Sequence, residues 1–186
     1  MERQAVYGMI HQAARDMAVA HLGEAEWEAL AASHGLSGHH FIGVDYYSDA
    51  DTLSLVDVIS KRLSLPIDQA LYEFGRFWIT FAGASAYGRV LRMAGDDLES
   101  FIENLDRMHA SIKSNMPLAS LPSFQVLESD SRHIQVLYVS ERDGLEPFVQ
   151  GILSAVAERF DESVTIDYGA CPDGVVFEIT RIIHDA

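Results

Sequence analysis

One histidine and one short polar array are the residues best suited to chemistry. His109 lies in an apolar helical stripe, and Tyr138-x-Ser140-x-Arg142 follows it after a stretch containing Pro117 and Pro122. An imidazole nitrogen surrounded by hydrocarbon needs a hydrogen-bond partner or a metal ion, because an unpaired polar group is costly to bury. On a strand, residues two apart share a face, so the tyrosine, serine and arginine would point the same way over roughly 13 Å. They form a set of donors for an extended anion: a guanidinium grips a carboxylate through two N–H groups, and the hydroxyls add directed bonds. Each feature also has an ordinary structural explanation. A lone histidine on an apolar face is commonly a satisfied core residue, and an alternating polar strand is commonly the wet side of a sheet.

The elements that would position these residues follow from periodicity. Asp96 and Glu99 have capping-box spacing, so a helix is expected from there towards Lys113, with Leu98, Phe101, Ile102, Leu105, Met108, His109 and Ile112 as its stripe. Glu103, Asp106, Arg107 and Lys113 fall elsewhere on the wheel. Upstream, Val6 to Met17 carries apolar residues at three and four, Trp27 and Leu30 continue a second helical piece, and Ser33 to Tyr47 reads as loop. Leu53 to Ile59 marks a short helix, Ser64-Leu-Pro66 a helix entry before Leu71, Phe74, Phe77, Trp78 and Phe81, and Tyr87 to Met93 a further turn or two. After Pro122 the period becomes alternating, over 124–127, 133–141, 164–168 and 175–182, with one helix from Leu145 to Val156 whose start Asp143 and Glu146 would cap. The expected fold is α+β in one domain spanning 1–186: six or seven helices, then a mainly antiparallel four-stranded sheet with an inserted helix. One cofactor would engage both candidate features, since a haem offers iron to an imidazole and propionate carboxylates to a row of donors.

Composition narrows the partners. The chain has 186 residues, 48% hydrophobic and 22% charged, within the globular range. A net charge of -15 repels nucleic acid and anionic membrane surfaces alike. No stretch approaches the ~18 apolar residues of a spanning helix, and the N-terminus lacks a signal-like apolar core, so a cytoplasmic location is expected. The single Cys171 allows no internal disulfide, and C-x-x-C-H is absent, so any haem would be held non-covalently. Cys171 reads as a small buried hydrophobe, His34, His39 and His40 as solvated loop histidines, and no zinc site is expected.

Five segments carry a resemblance that covers nearly the whole chain: Asn104-Leu-Asp-Arg-Met-His109, Tyr138-Val-Ser-Glu-Arg142, Glu73-Phe-Gly75, Leu91-Arg-Met-Ala-Gly95 and Pro122-Ser-Phe124. With Val6-Tyr-Gly-Met-Ile10 and Val176-Phe-Glu-Ile179 they make the sequence similar to the haem nitric oxide/oxygen binding (H-NOX) domains, of the stand-alone bacterial type. That resemblance implies one b-type haem between the helical and sheet parts, His109 as iron ligand, and Tyr138, Ser140 and Arg142 on the propionates. It implies that Pro117 presses on the porphyrin and that Ile10 belongs to the distal wall. Oxygen-holding members use a tyrosine on the helix after the Tyr-x-Ser-x-Arg strand; here Pro147 or Phe148 occupies that neighbourhood, and no tyrosine lies between Arg142 and Tyr168. The implied function is a sensor for NO, and for carbon monoxide, that does not hold O2 stably. It would signal to a separate histidine kinase or cyclic-di-GMP enzyme. The alternatives are an O2-binding sensor, a haem enzyme such as a peroxidase or NO dioxygenase, and a haem-free interaction module.

Overall fold

A computed structural model describes residues 5–33, 41–43, 45–85, 88–115 and 119–182. Pro117, Tyr87 and the histidines at 34, 39 and 40 lie outside these residues, and with them their expected roles.

The helical part begins with a short strand, β1 (Ala5–Tyr7), and α1 (Gly8–Leu22), followed by α2 (Glu24–Ser33). The stretch expected to be loop contains β2 (Tyr46–Ser48), which pairs antiparallel with β1; three residues are too few to give a period of two. Ser48 then caps α3 (Asp49–Leu63) in a reciprocal box with Asp51. Next come α4 (Ile67–Ala84), α5 (Gly88–Arg92), α6 (Leu98–Glu103) and α7 (Leu105–Asn115).

The single helix expected from Asp96 is two helices, broken at Asn104. Its cap also shifts by one residue: Asp97 accepts from the Ser100 N–H at 2.7 Å, and Glu99 instead accepts from Ser129 Oγ at 2.7 Å across the domain.

The second part is an antiparallel sheet of β3 (Ser123–Ser129), β4 (His133–Val139), β5 (Val164–Cys171) and β6 (Gly174–Arg181), in the order β3-β4-β6-β5. Helix α8 (Glu146–Arg159) is inserted between β4 and β5. The expected Asp143/Glu146 box does not form. Leu145 is the N-cap without a side-chain bond, and Pro147 in the first turn needs no N–H partner there.

Two apolar cores result. One joins α6 and α8 to the sheet through Phe101, Ile134, Val136, Leu153 and Phe177; the other joins α1, α2 and α3 to α4 through Met17, Trp27, Leu55, Ile59 and Phe74. Trp78 packs against both. The cores are bolted by the α4–α8 crossing, where glycines face glycine-width gaps: a Cβ on Gly75 would overlap the Phe148 carbonyl, and one on Gly151 the Tyr72 carbonyl. Arg76 and Glu158 close the crossing with two bonds of 2.8 Å.

Candidate functional site

His109 stands on α7, partly buried, and its Nδ1 lies 2.9 Å from the Pro122 carbonyl oxygen. A carbonyl can only accept, so Nδ1 is the protonated donor and Nε2 carries the lone pair. One turn earlier, Asp106 accepts from the Phe124 N–H at 2.8 Å and from Ser123 Oγ at 2.6 Å. Two side chains three apart on one helix therefore grip three consecutive residues, 122–124. Burial lowers the His109 pKa below its ordinary value, opposed by the Pro122 hydrogen bond and the Asp106 charge. The ring is neutral at neutral pH, oriented through one nitrogen and basic at the other, the form in which imidazole binds a metal.

Phe124 bridges this histidine to the polar array. Its ring centroid lies 6.0 Å from His109 and 5.3 Å from Tyr138, its register partner across β3 and β4. Tyr138 is only 3% exposed and also meets Phe177 edge-on. Burial raises its pKa; a hydrogen bond with the Ser140 side chain and the Arg142 charge pull it down, while Glu146 adds to the rise.

The strand expected to carry all three donors ends at Val139, so Ser140 and Arg142 do not extend its face. They form a turn instead: Ser140 Oγ accepts from the Arg142 N–H at 3.0 Å, and Arg142 Nη1 donates to the Ser120 carbonyl at 2.9 Å. The turn, rather than the pleat, gathers the tyrosine hydroxyl, serine hydroxyl and guanidinium.

Ile10 packs instead against the helical core, together with Phe77, Trp78 and Phe148, and the structure does not bring it to His109. All four are only partly buried, although each packs on a core. Phe148 leans on Phe74 at 5.1 Å, and Pro147 is buried in the first turn of α8. Cys171 is partly exposed at the end of β5, not buried as expected.

An iron porphyrin fits these residues. It needs one neutral nitrogen ligand and donors for its carboxylates, and His109 and the Tyr138–Ser140–Arg142 turn, joined through Phe124, offer both. Among the described residues no three His, Cys, Asp or Glu side chains gather as a metal cluster.

Asp106 was missed by sequence reasoning because the wheel assigns it to the polar side. Its spacing of three from His109 was the available signal. His11 was missed as well. It is buried on α1, 3.1 Å from Thr52 Oγ1 through Nε2, and packed between the rings of Phe41 and Tyr47.

Fold and site together define an α+β protein with two cores and a neutral imidazole oriented through its Nδ1. The chain belongs to the Haem-NO-binding family, which it matches over residues 7–168. It is 33% identical to soluble guanylate cyclase gcy-32 of Caenorhabditis elegans over 165 residues, 87% of this chain and 24% of that protein. The chain thus spans about a quarter of the length of such relatives. Among solved structures, an H-NOX protein from S. oneidensis in the Fe(II)NO ligation state superposes with a TM-score of 0.83, at 22% identity, covering 96% of this chain and 100% of the other. An oxygen-binding H-NOX domain related to soluble guanylate cyclases, in its oxygen complex, superposes at 0.77 with 16% identity, covering 95% of each chain. Backbone likeness therefore extends to neighbours with either gas, and side chains must distinguish them.

Proposed function

We propose that this chain is a gas-sensing domain: it holds a non-covalent haem b, responds to NO and to carbon monoxide, does not retain O2, and catalyses no reaction of its own. The observation that carries the reading is the His109 geometry, with Nδ1 committed to the Pro122 carbonyl and Nε2 left with its lone pair. When bound, the haem would supply a ferrous iron for the gas and two propionates for the protein to hold. His109 would take the iron, and Tyr138, Ser140 and Arg142 the carboxylates, the arginine through charge-assisted bonds. Ile10 is assigned to the gas-side wall, and Pro117 to contact with the porphyrin.

Selectivity rests on the donors of that wall. Retaining O2 calls for a hydrogen-bond donor, whereas ferrous haem binds NO strongly without one. Pro147 has neither an N–H nor a polar side chain, and Phe148 and Ile10 are hydrocarbon. The α7–β3 clamp supports a route for the signal. Anything that draws His109 away from Pro122 also pulls on the strand that Asp106 holds. A separate protein, of the histidine kinase or cyclic-di-GMP enzyme kind, would read the change. A soluble, cytoplasmic setting belongs to the same proposal; among the described residues no helix is long and apolar enough to cross a membrane.

The test is His109→Gly. Haem retention by the ferrous protein should be lost and partly restored by added imidazole, read from the absorption spectrum. Retention with an unchanged spectrum would assign the ligand elsewhere.

A further inference from the structure

An open groove lies between α4, α5 and α8, with His21 of α1 also on its lining. It offers about 680 Å3, within the range that holds a small organic ligand. Its charge is opposite to that of the chain. In a protein of net charge -15, three arginines line this one groove.

Arg76 is neutralised there by Glu158, which accepts both its bonds at 2.8 Å. Arg92 and Arg159 are exposed and form no ion pair among the described residues. Arg92 lies back over Gly88, and Arg159 rests over the Phe160 ring at 5.8 Å, which positions its charge without cancelling it. The other carboxylate of the lining, Glu73, accepts from Gln69 at 2.9 Å and keeps its charge, so three guanidiniums stand against two carboxylates and the groove is positive by one. Phe77 and Ile79 give the groove an apolar wall, and Thr80 adds a hydroxyl. Gly83 leaves space, since a Cβ there would meet nothing within 4 Å.

Two guanidiniums outside any ion pair, beside an aromatic wall, suit a ligand with phosphate at one end and a flat apolar group at the other. We propose that the α4–α5–α8 groove binds a nucleoside phosphate. The overall negative charge of the chain makes such binding local and strongly weakened by salt.

The experiment is calorimetric titration of the full chain with ATP, adenosine and pyrophosphate. It needs no haem, so its outcome is independent of the sensor reading. ATP should bind saturably and more tightly than either fragment. Arg92→Ala and Arg159→Ala, both surface changes, should each weaken it about tenfold or more, from the loss of a charge-assisted bond. Gly83→Met, which fills the groove without touching a charge, should do the same, and Arg132→Ala in the distant β3–β4 turn should not. Absence of saturable binding, pyrophosphate binding as tightly as ATP, or affinity indifferent to the Arg92, Arg159 and Gly83 changes would overturn the proposal.

Discussion

His109 and His11 are both kept neutral by burial, and this gives the chain a pH dependence with a definite sign. Each has a folded pKa below the ordinary 6.5, so the unfolded chain takes up the protons first as pH falls. The stability they contribute is whole above about 6.5 and drains away below it, before most carboxylates titrate near about 4. Urea midpoints should hold from about pH 8 to 7 and fall between about 6.5 and 5; a midpoint that rises across that interval would mean the histidines gain partners on folding. Asp106 has a different part. Asp106→Asn leaves an acceptor for one of its two donors but removes the charge, and should cost about 1–2 kcal/mol. Because the same side chain fixes β3 under His109, the variant should also shift the absorption of the haem-loaded protein, a readout that lost stability alone would not move. His109 was legible as a residue because it is polar in an apolar stripe. Its carbonyl partner was not, because Pro122 is brought to it by the chain reversal between α7 and β3.

The α4–α8 crossing ties the two cores together. Gly151→Val should destabilise by more than about 3 kcal/mol, since the added atoms overlap the Tyr72 carbonyl on a backbone that cannot yield. Gly83→Ala, on the same α4 but facing open space, should instead be neutral or gain up to about 1 kcal/mol from helix propensity, as thermal unfolding would show. Elements were read from the sequence with uneven success, for reasons local to each. The four long strands and α1, α4 and α8 have enough residues for a period to declare itself. The break at Asn104 was hidden because Ile102 and Leu105 keep a spacing of three across it. Asp96-x-x-Glu99 and Asp97-x-x-Ser100 are equally good boxes on paper, and the choice was made by Ser129, thirty residues away in sequence from Glu99. The alternation Tyr138-x-Ser140-x-Arg142 outlasts the strand that it suggested, because a turn closed by Ser140 Oγ also returns alternate residues to one side.

At the scale of the molecule, two cores share Trp78 and leave Ile10, Phe77, Phe148 and Met108 only partly buried. In the proposed single domain, a haem held between the two cores would complete both, and ligand and fold would stabilise one another by mass action. The broad α+β plan and the candidate ligand were legible because they rest on periodicity and residue type. The Arg-lined groove was not, since its residues come from α4, α5 and α8 and meet only in the folded chain. In the proposed function a ferrous haem sits on His109 behind a wall without an O2 donor. The most direct test is the absorption spectrum of the reduced, haem-loaded protein recorded under nitrogen, after NO and after air. The Soret band should shift with NO, and air should give no stable new ferrous spectrum. A spectrum indifferent to NO, or a stable oxygenated form in air, would contradict the proposed function.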